Sequence, residues 1–194
     1  TKPLAEEDLA GVSFDRSAAA LLDADTEENL QRLFVEERWT DFLPVVLPTE
    51  ERVEAMLAGT SRARDEVVGR LRPTAFRELW EFTVEKVAVN AVMAGARPEY
   101  LPVILAALAS GMTGRSSSTT SFATIALVNG PIRNEIGMNS GIGAFGPYSH
   151  ANATIGRAYS MGSANLQGGS IPGETYMGSQ GNSYAYSAAF AENE

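Results

Sequence analysis

The chain of 194 residues contains no cysteine and only one histidine, His150. The lack of cysteine excludes disulfides, thiol nucleophiles and thiolate metal sites. A single histidine excludes a multi-histidine zinc or iron centre within the chain. No aspartate follows Asp65, so a Ser-His-Asp triad around His150 would need an acid from the first third of the chain, or a glutamate.

Charged side chains are scarce in the second half. Residues 100–194 carry 3 basic and 4 acidic side chains, whereas residues 1–99 carry 12 and 20, so most of the net charge of −9 belongs to the first half. No basic face could neutralise nucleic-acid phosphates. No apolar run approaches the roughly 18 residues of a membrane span, and no signal peptide is visible. We therefore expect a cytoplasmic protein without nucleic-acid or membrane partners.

The first 111 residues are dominated by helix signals. Thr26 and Thr49 each precede two glutamates and then apolar residues at helical spacing, which predicts a capped helix start at both positions. We interpret residues 1–40 as an N-terminal helical arm, which either packs on a partner subunit or lies on its own domain. Residues 41–194 are predicted to form a single α+β domain, helical over residues 41–111.

Two further helices are predicted within this helical part. Thr83 caps the first, which runs to Gly95, and Pro98 begins the second, which ends near Gly111. We expect them to pair as an antiparallel hairpin, with Asn90 either hydrogen-bonded in the core or facing a cleft. The charged residues 61–73 are predicted to form a short helix or turn.

The second half changes character and supplies the strands. Residues 112–121 are polar and serine-rich, typical of a linker or a mobile lid. Residues 122–128 and 183–191 are apolar or alternating and predict two strands of a small mixed sheet. The fold class is therefore α+β: a helical N-terminal half packed on a small sheet, with a long glycine-rich loop region and a site within residues 122–194.

The most informative stretch is residues 128–159, which holds His150 among closely spaced glycines. The segment from Gly141 to Gly146 matches the pattern GxGxxG. As a dinucleotide-binding motif it should follow a strand directly and precede an acidic residue about 20 positions on. Here Pro147 follows instead and no aspartate occurs downstream, so nucleotide binding is a minor hypothesis.

An anion site is the stronger hypothesis for the same stretch. Ser149 is predicted to cap a helix through Arg157, and free N–H groups at a helix start favour an anion. The predicted substrate-binding groups are backbone amides, guanidinium groups and side-chain amides: Gly143, Gly146, Arg133, Arg157, Asn139 and Asn152. The alternative is that the glycines serve tight turns and the arginines pair with Glu135 and Glu174.

Acid–base chemistry in this stretch would depend on three residues. His150 lies in the first turn of the predicted helix, where the helix dipole favours the neutral imidazole that can accept a proton. Glu135 and Tyr148 are the other predicted catalytic residues. A lone histidine with only a structural role is the alternative. No metal site and no cofactor are evident from the sequence.

Whole phrases of the chain resemble a known bacterial family. These are LPVVLPTEERVEAMLAGTSR (43–62), EKVAVNAVMAGARPEYLPVILAAL (85–108), VNGPIRNEIGMNSGIGAFGPYSHANATIGRA (128–158) and the terminal AENE. They resemble the UGSC family of bacterial (seleno)proteins, sometimes described loosely as thioredoxin-like, and their partner subunits. The resemblance implies a multi-part enzyme whose members continue past the AENE phrase, so that Glu194 is expected to be a truncation or a break between two chains.

Two functions follow as expectations. The first is an enzyme or enzyme subunit that binds a small anionic or polar substrate and performs non-redox chemistry of the lyase or hydratase type. The second is a non-catalytic subunit that docks onto a partner chain carrying the redox group, because the cysteine or selenocysteine that names the family is absent here. Either would work in a homo- or hetero-oligomer. An enzyme should bury Arg133, His150 and Arg157 around one pocket, whereas a docking subunit should expose the glycine-rich segment.

Overall fold

The computed structural model describes residues 21–71, 80–111, 124–145, 148–167 and 189–193. Within them the chain has an α+β fold of helices and two short sheets. The helices are α1 (Glu27–Glu36), α2 (Glu50–Leu57), α3 (Val84–Met93), α4 (Leu101–Ala109), α5 (Ile132–Glu135) and α6 (His150–Leu166), with a 3-10 turn at Pro98–Tyr100. The strands are β1 (Val67–Leu71), β2 (Trp80–Thr83), β3 (Ala126–Val128) and β4 (Ala189–Ala191). Within this part of the chain, no helix is both long and apolar enough to cross a membrane.

The helix starts predicted at threonine and serine caps are confirmed, whereas Pro98 begins a 3-10 turn that leads into α4 without a side-chain cap. Thr26, Thr49 and Thr83 accept hydrogen bonds from the backbone N–H three residues on, at 3.3, 3.4 and 3.5 Å. Each satisfies one of the amides that a helix start leaves without a partner. Ser149 does the same for α6, which extends beyond the predicted end at Arg157 to Leu166.

Three helices form the centre of the core. The predicted pair α3 and α4 pack on each other, and α6 packs against both. Ala88 and Ala91 of α3 are fully buried, so their small side chains allow close helix contact. On α6, a Cβ added at Gly162 would lie 2.7 Å from Cδ1 of Leu108 in α4. Glycine at this position therefore sets the close approach of α6 to α4.

Asn90 is hydrogen-bonded within this core, which agrees with the first of the two interpretations of the sequence. Its Nδ2 donates to the Lys86 carbonyl at 2.9 Å, and its Oδ1 accepts from Nδ2 of Asn165 at 2.8 Å. Asn165 also donates to the Trp39 carbonyl at 2.9 Å. The two amides therefore join α3 and α6 to the segment after α1 and leave neither Asn90 amide atom without a partner.

Helix α1 lies on the chain's own domain. Phe34 is its one buried residue and belongs to the common core. Gln31 forms two hydrogen bonds with the backbone of Val45, donating to the carbonyl at 2.7 Å and accepting from the N–H at 3.2 Å. These contacts attach the described part of the N-terminal segment to the residues that follow it.

The prediction of a short helix or turn across residues 61–73 was wrong for residues 67–71. These residues form β1, which pairs antiparallel with β2. Gly69 suggested a turn, but it lies inside the strand, where an added Cβ would come within 2.4 Å of Cζ of Phe82. A strand glycine at a close approach of this kind cannot be told from a turn glycine by local sequence.

The two strands predicted in the second half pair with each other. β3 and β4 are parallel, and Ala126, Leu127 and Val128 face Ala189, Phe190 and Ala191 in register. Instead of one mixed sheet, the described residues contain two separate pairs, one antiparallel and one parallel. The serine-rich loop 112–121 and the first part of the last strand, 183–188, lie outside the described residues.

Candidate functional site

The glycine-rich stretch leads into the buried helix α6. Ser149 accepts a hydrogen bond from the Asn152 N–H at 3.3 Å and so fixes the first turn. His150, the first helical residue, is exposed, and its ring lies against Tyr100 with the ring centroids 5.8 Å apart. The single histidine is thus held at the positive end of a 17-residue helix, with one side on an aromatic ring.

Asn152 organises the loop that precedes α6. Its buried side chain accepts from the Asn139 N–H at 3.0 Å and donates to the carbonyls of Asn139 and Ala144 at 2.9 and 3.1 Å. These three bonds occupy its amide with backbone groups of the same chain. A side chain used in this way is a positioning group for the loop.

Asn139 closes the turn that carries the glycines. Its Oδ1 accepts from the Gly141 N–H at 2.9 Å, and its Nδ2 donates to the Ile142 carbonyl at 3.0 Å. Gly143 has φ +78°, a conformation that other residues adopt with strain. The loop is therefore a defined turn, and its backbone shape depends on Asn139, Gly143 and Asn152.

Arg157 forms an ion pair with a carboxylate far away in sequence. Its Nε and Nη2 each donate to Asp41 at 2.8 Å, and Nη2 also donates to the Pro44 carbonyl at 2.9 Å. The Asp41 side chain is fully buried and that of Arg157 is 20 % exposed. The bidentate face of Arg157 is engaged by Asp41, which differs from both sequence interpretations, an anion clamp and pairing with Glu135 or Glu174.

Arg133 contacts the end of the last strand. Its Nη1 donates to the Glu192 carbonyl at 2.9 Å, just after β4. The same region is held by backbone bonds from the Ala191 N–H to Asn139 O at 3.3 Å and from the Glu192 N–H to Val128 O at 2.9 Å. Arg133 therefore helps to fasten β4 beside β3 and the glycine-rich turn.

The three predicted catalytic residues are all exposed. Glu135 ends α5, Tyr148 precedes the cap of α6, and His150 begins α6. Among the described residues, no hydrogen bond or ion pair joins any two of them. Tyr148 has φ +77°, a region that costs a bulky residue strain and is frequent at functional sites. Gly146, a predicted backbone donor, lies outside the described residues.

An apolar surface covers the outer side of the β3–β4 pair. Leu127 and Phe190 are opposite each other in register and point away from the buried alanines. The Phe145 ring lies 4.5 Å from that of Phe190, centroid to centroid, and is 72 % exposed. Ile142 and Tyr148, three residues to either side of Phe145, are fully exposed. We call these five side chains the glycine-rich face.

Neither a metal centre nor a nucleotide motif is formed by the residues described. No group of three or more His, Asp or Glu among them could hold a metal ion. The residues directly before Gly141 form no strand, so the context that a dinucleotide motif requires is missing. A shallow groove of about 270 Å³ lies elsewhere, between α2 and the end of α3.

Comparisons of the chain with models of known protein families, with curated protein sequences and with solved structures gave no significant match.

Sequence reasoning missed Asp41, which determines what Arg157 does. Asp41 lies 116 residues before Arg157 and accepts two hydrogen bonds from its guanidinium group, besides one from the Leu43 N–H. The available signal was the apolar, proline-containing run of residues 42–48 that follows it. A charged residue beside such a run needs a partner once the run packs on the core. Nothing in the local pattern named Arg157 as that partner.

Proposed function

We propose that this chain is a non-catalytic subunit whose glycine-rich face docks onto a partner chain that carries the redox group. The observation that supports the proposal most directly is the exposure of that face. Phe145 is 72 % exposed, and Ile142 and Tyr148 are fully exposed, around a turn with defined backbone geometry. Exposed apolar surface that exceeds scattered single side chains is typical of protein–protein contacts.

The groups that an anion-binding enzyme would use are engaged elsewhere. Arg157 is held by Asp41, Asn152 by backbone groups of the turn, and Arg133 donates to the carbonyl that follows β4. A self-contained site would instead direct these groups into one cavity. Their present contacts give the turn and the β3–β4 pair a fixed shape, which is what a docking surface needs.

The chemistry of the face suggests the character of its partner. The described residues from 124 onward carry two arginines and two glutamates and so have no net charge apart from His150. A neutral face with aromatic side chains fits an apolar surface, and the glycines allow a partner's backbone to come close. The redox group is placed on the partner because this chain has no cysteine, and because its phrases resemble a family that uses cysteine or selenocysteine.

The lyase or hydratase hypothesis is kept as a second candidate because of one observation. His150 is exposed at the positive end of α6, two residues from the strained Tyr148. If the partner supplied the remaining wall, His150, Tyr148 and Glu135 would face a site between the chains. Both candidates imply a cytoplasmic assembly, either with a different chain or with further copies of this one.

The test is isolation of the tagged chain from its own cells, followed by reconstitution with the purified partner. We expect the wild type to bring down a second chain in stoichiometric amount, with a cysteine or selenocysteine in a reactive motif. Phe145→Asp should weaken the reconstituted complex at least tenfold, measured by titration calorimetry. Leu21→Asp is the matched control, since Leu21 is also exposed, and it should bind like the wild type.

Three results would overturn the docking proposal. One is a wild-type chain that is isolated alone. Another is a partner that binds Phe145→Asp as tightly as the wild type. The third is a melting shift of the isolated wild type with a small carboxylate or phosphate that His150→Ala abolishes, which would favour the acid–base enzyme.

A further inference from the structure

We infer that residues 39–46 form a second docking surface, whose occupant is an amphipathic polypeptide segment with basic flanks. This segment, Trp-Thr-Asp-Phe-Leu-Pro-Val-Val, connects α1 to α2, and we call it the anchor loop. It consists of residues other than those of the glycine-rich face. The inference is therefore independent of the proposed function.

The anchor loop is fixed in place by side chains from α1 and α6 and by a backbone carbonyl of α3. Arg157 of α6 holds Asp41 and the Pro44 carbonyl, Asn165 of α6 holds the Trp39 carbonyl, and Gln31 of α1 holds both backbone groups of Val45. The Val46 N–H donates to the carbonyl of Met93 in α3 at 3.2 Å. Thr40, Asp41 and Val45 are thereby directed inward.

The same loop directs large apolar side chains outward. Phe42 is 65 % exposed, and Trp39, Leu43 and Val46 are each more than a third exposed. Phe42 also has φ +64°, a conformation that is uncommon and strained for a bulky side chain. Because the loop is already rigid, its aromatic and aliphatic side chains would lose little conformational entropy on binding, which favours a binding hot spot.

A groove continues this surface beyond Val46. It has a volume of about 270 Å³ and is lined mainly by apolar residues: Val46, Met56, Val92, Gly95, Ala96 and Pro98. Arg52 lies on its wall and donates to the Leu47 carbonyl at 2.9 Å. The exposed side chains of the loop and the groove together offer a row of apolar contacts, as an amphipathic helix requires.

The negative charge around the anchor loop indicates which kind of segment binds there. Residues 21–59, which contain the loop and both flanking helices, carry ten acidic and three basic side chains, a net charge of −7. Most of the acids are exposed, including Glu36, Glu37, Glu50 and Glu51 on either side of the loop. A second copy would bring another such charge against this one, and anionic lipid headgroups would be repelled for the same reason. A segment with an apolar face and lysine or arginine flanks matches both features.

The test uses a synthetic 14-residue helical peptide without tryptophan, with leucines at i, i+3, i+4, i+7 spacing and lysines at its other positions. Its counterpart has glutamate for every lysine. We expect the lysine peptide to bind with one-to-one stoichiometry and to shift the tryptophan fluorescence, measured in a Trp80→Phe background so that it reports Trp39 alone. The dissociation constant should rise at least fivefold between 50 and 300 mM salt. The glutamate peptide should bind at least tenfold more weakly.

Variants of the loop separate this surface from general attraction to an acidic protein. Phe42→Asn removes the side chain but keeps a residue that tolerates positive φ, so the fold should be kept while the affinity falls at least tenfold. Leu21→Asn is the matched control and should bind like the wild type. Equal binding of the lysine peptide to Phe42→Asn, or of both peptides to the wild type, would overturn the inference.

The other occupants are measured in parallel. Sedimentation at rising protein concentration reports a second copy on this face, and flotation with anionic and zwitterionic vesicles reports a lipid surface. Self-association or vesicle binding that Phe42→Asn abolishes, and that competes with the lysine peptide, would replace the basic segment as occupant and overturn the inference.

Discussion

At the scale of single residues, the ions of the nearly uncharged second half are used to fasten segments together. Arg157 joins α6 to the anchor loop, and Arg133 joins α5 to the residue after β4. The pair of Arg157 with Asp41 is the clearest case, because the Asp41 carboxylate is fully buried where it meets the guanidinium group. The stability of the loop therefore depends on charges separated by more than half of the chain.

Replacing Asp41 by Asn should destabilise the protein. Removing one partner of a fully buried ion pair costs about 3–5 kcal/mol. Because Arg157 is 20 % exposed, we expect a smaller loss here, about 2–3 kcal/mol. The measurement is urea unfolding followed by circular dichroism. Glu36→Gln, which breaks the exposed pair with Arg32, should change the unfolding free energy by less than about 0.5 kcal/mol. Equal effects of the two variants would contradict this assignment.

Tyr159 should make the protein sensitive to alkali. Its side chain is buried in α6, and burial raises the pKa of this phenol above its ordinary value. The unfolded chain then ionises near pH 10 while the folded chain stays neutral. Stability from this residue is present below about pH 10 and is lost as the pH rises through the folded pKa.

Melting temperatures of wild type and Tyr159→Phe between pH 8 and 11 test this. The fall in melting temperature above pH 10 should be shallower in Tyr159→Phe than in the wild type, whatever the stability of the variant at pH 8. Tyr148→Phe, altered at a fully exposed tyrosine, should keep the slope of the wild type. A Tyr159→Phe slope identical to that of the wild type would show that other groups cause the alkaline loss.

Predictability from sequence was uneven among the residues of the candidate site. The cap at Ser149 follows from a local pattern and is present, because capping involves residues only three positions apart. Asn139 and Asn152 were also singled out, but their bonds to the turn were not foreseen. Such bonds depend on how the loop folds back on the helix, and sequence spacing does not encode that.

At the scale of elements, the longer helices were predictable, whereas the four-residue α5 and the first strand pair were not. Helix α3 has the hydroxyl cap that its sequence predicts. β1 was missed because the reason for a glycine at position 69 is the contact with the Phe82 ring. That ring belongs to β2, which is separated from β1 by residues 72–79, so the local sequence does not show the contact. β3 and β4 were found from their composition, since apolar runs of small and β-branched residues are typical of strands.

Gly59 illustrates how an element boundary can be set by a neighbour. It follows the cap of α2, and it has no positive φ; instead, an added Cβ would lie 1.9 Å from the carbonyl oxygen of Pro98. Gly59→Ala should therefore lower the unfolding free energy by about 2–3 kcal/mol, since a backbone carbonyl cannot rotate away from the methyl group.

Chemical denaturation of Gly59→Ala beside Gly141→Ala checks this. The nearest atom to an added Cβ at Gly141 is 3.9 Å away, so Gly141→Ala should stay within about 0.5 kcal/mol of the wild type. Equal stability of Gly59→Ala and Gly141→Ala would contradict the close contact between Gly59 and the Pro98 carbonyl.

At the scale of the whole molecule, charge and burial divide the chain in the same way. The segment 21–59 carries a net charge of −7, and α1 within it buries one residue of ten. The part from residue 124 carries only two arginines and four glutamates, and α6 buries 11 of its 17 residues. The outer segment is therefore attached to the core by a few defined bonds, while the centre is held by packing.

Hydrogen exchange should show this division as two levels of stability. Amides in the middle of α3 and α6, around Ala91 and Ile155, are fully buried and should exchange only through global unfolding. Amides in α1 should exchange through a local opening that exposes Phe34 and breaks the Gln31–Val45 bonds but leaves the three-helix centre intact. Exchange measured at rising urea below the unfolding transition distinguishes the two, because local opening depends only weakly on urea whereas global unfolding depends on it strongly.

Asp41→Asn should speed exchange in the anchor loop and α1 more than in α6 if the loop is the link between them. Equal protection of α1 and α6, with the same urea dependence, would mean that the outer segment and the core unfold as one unit.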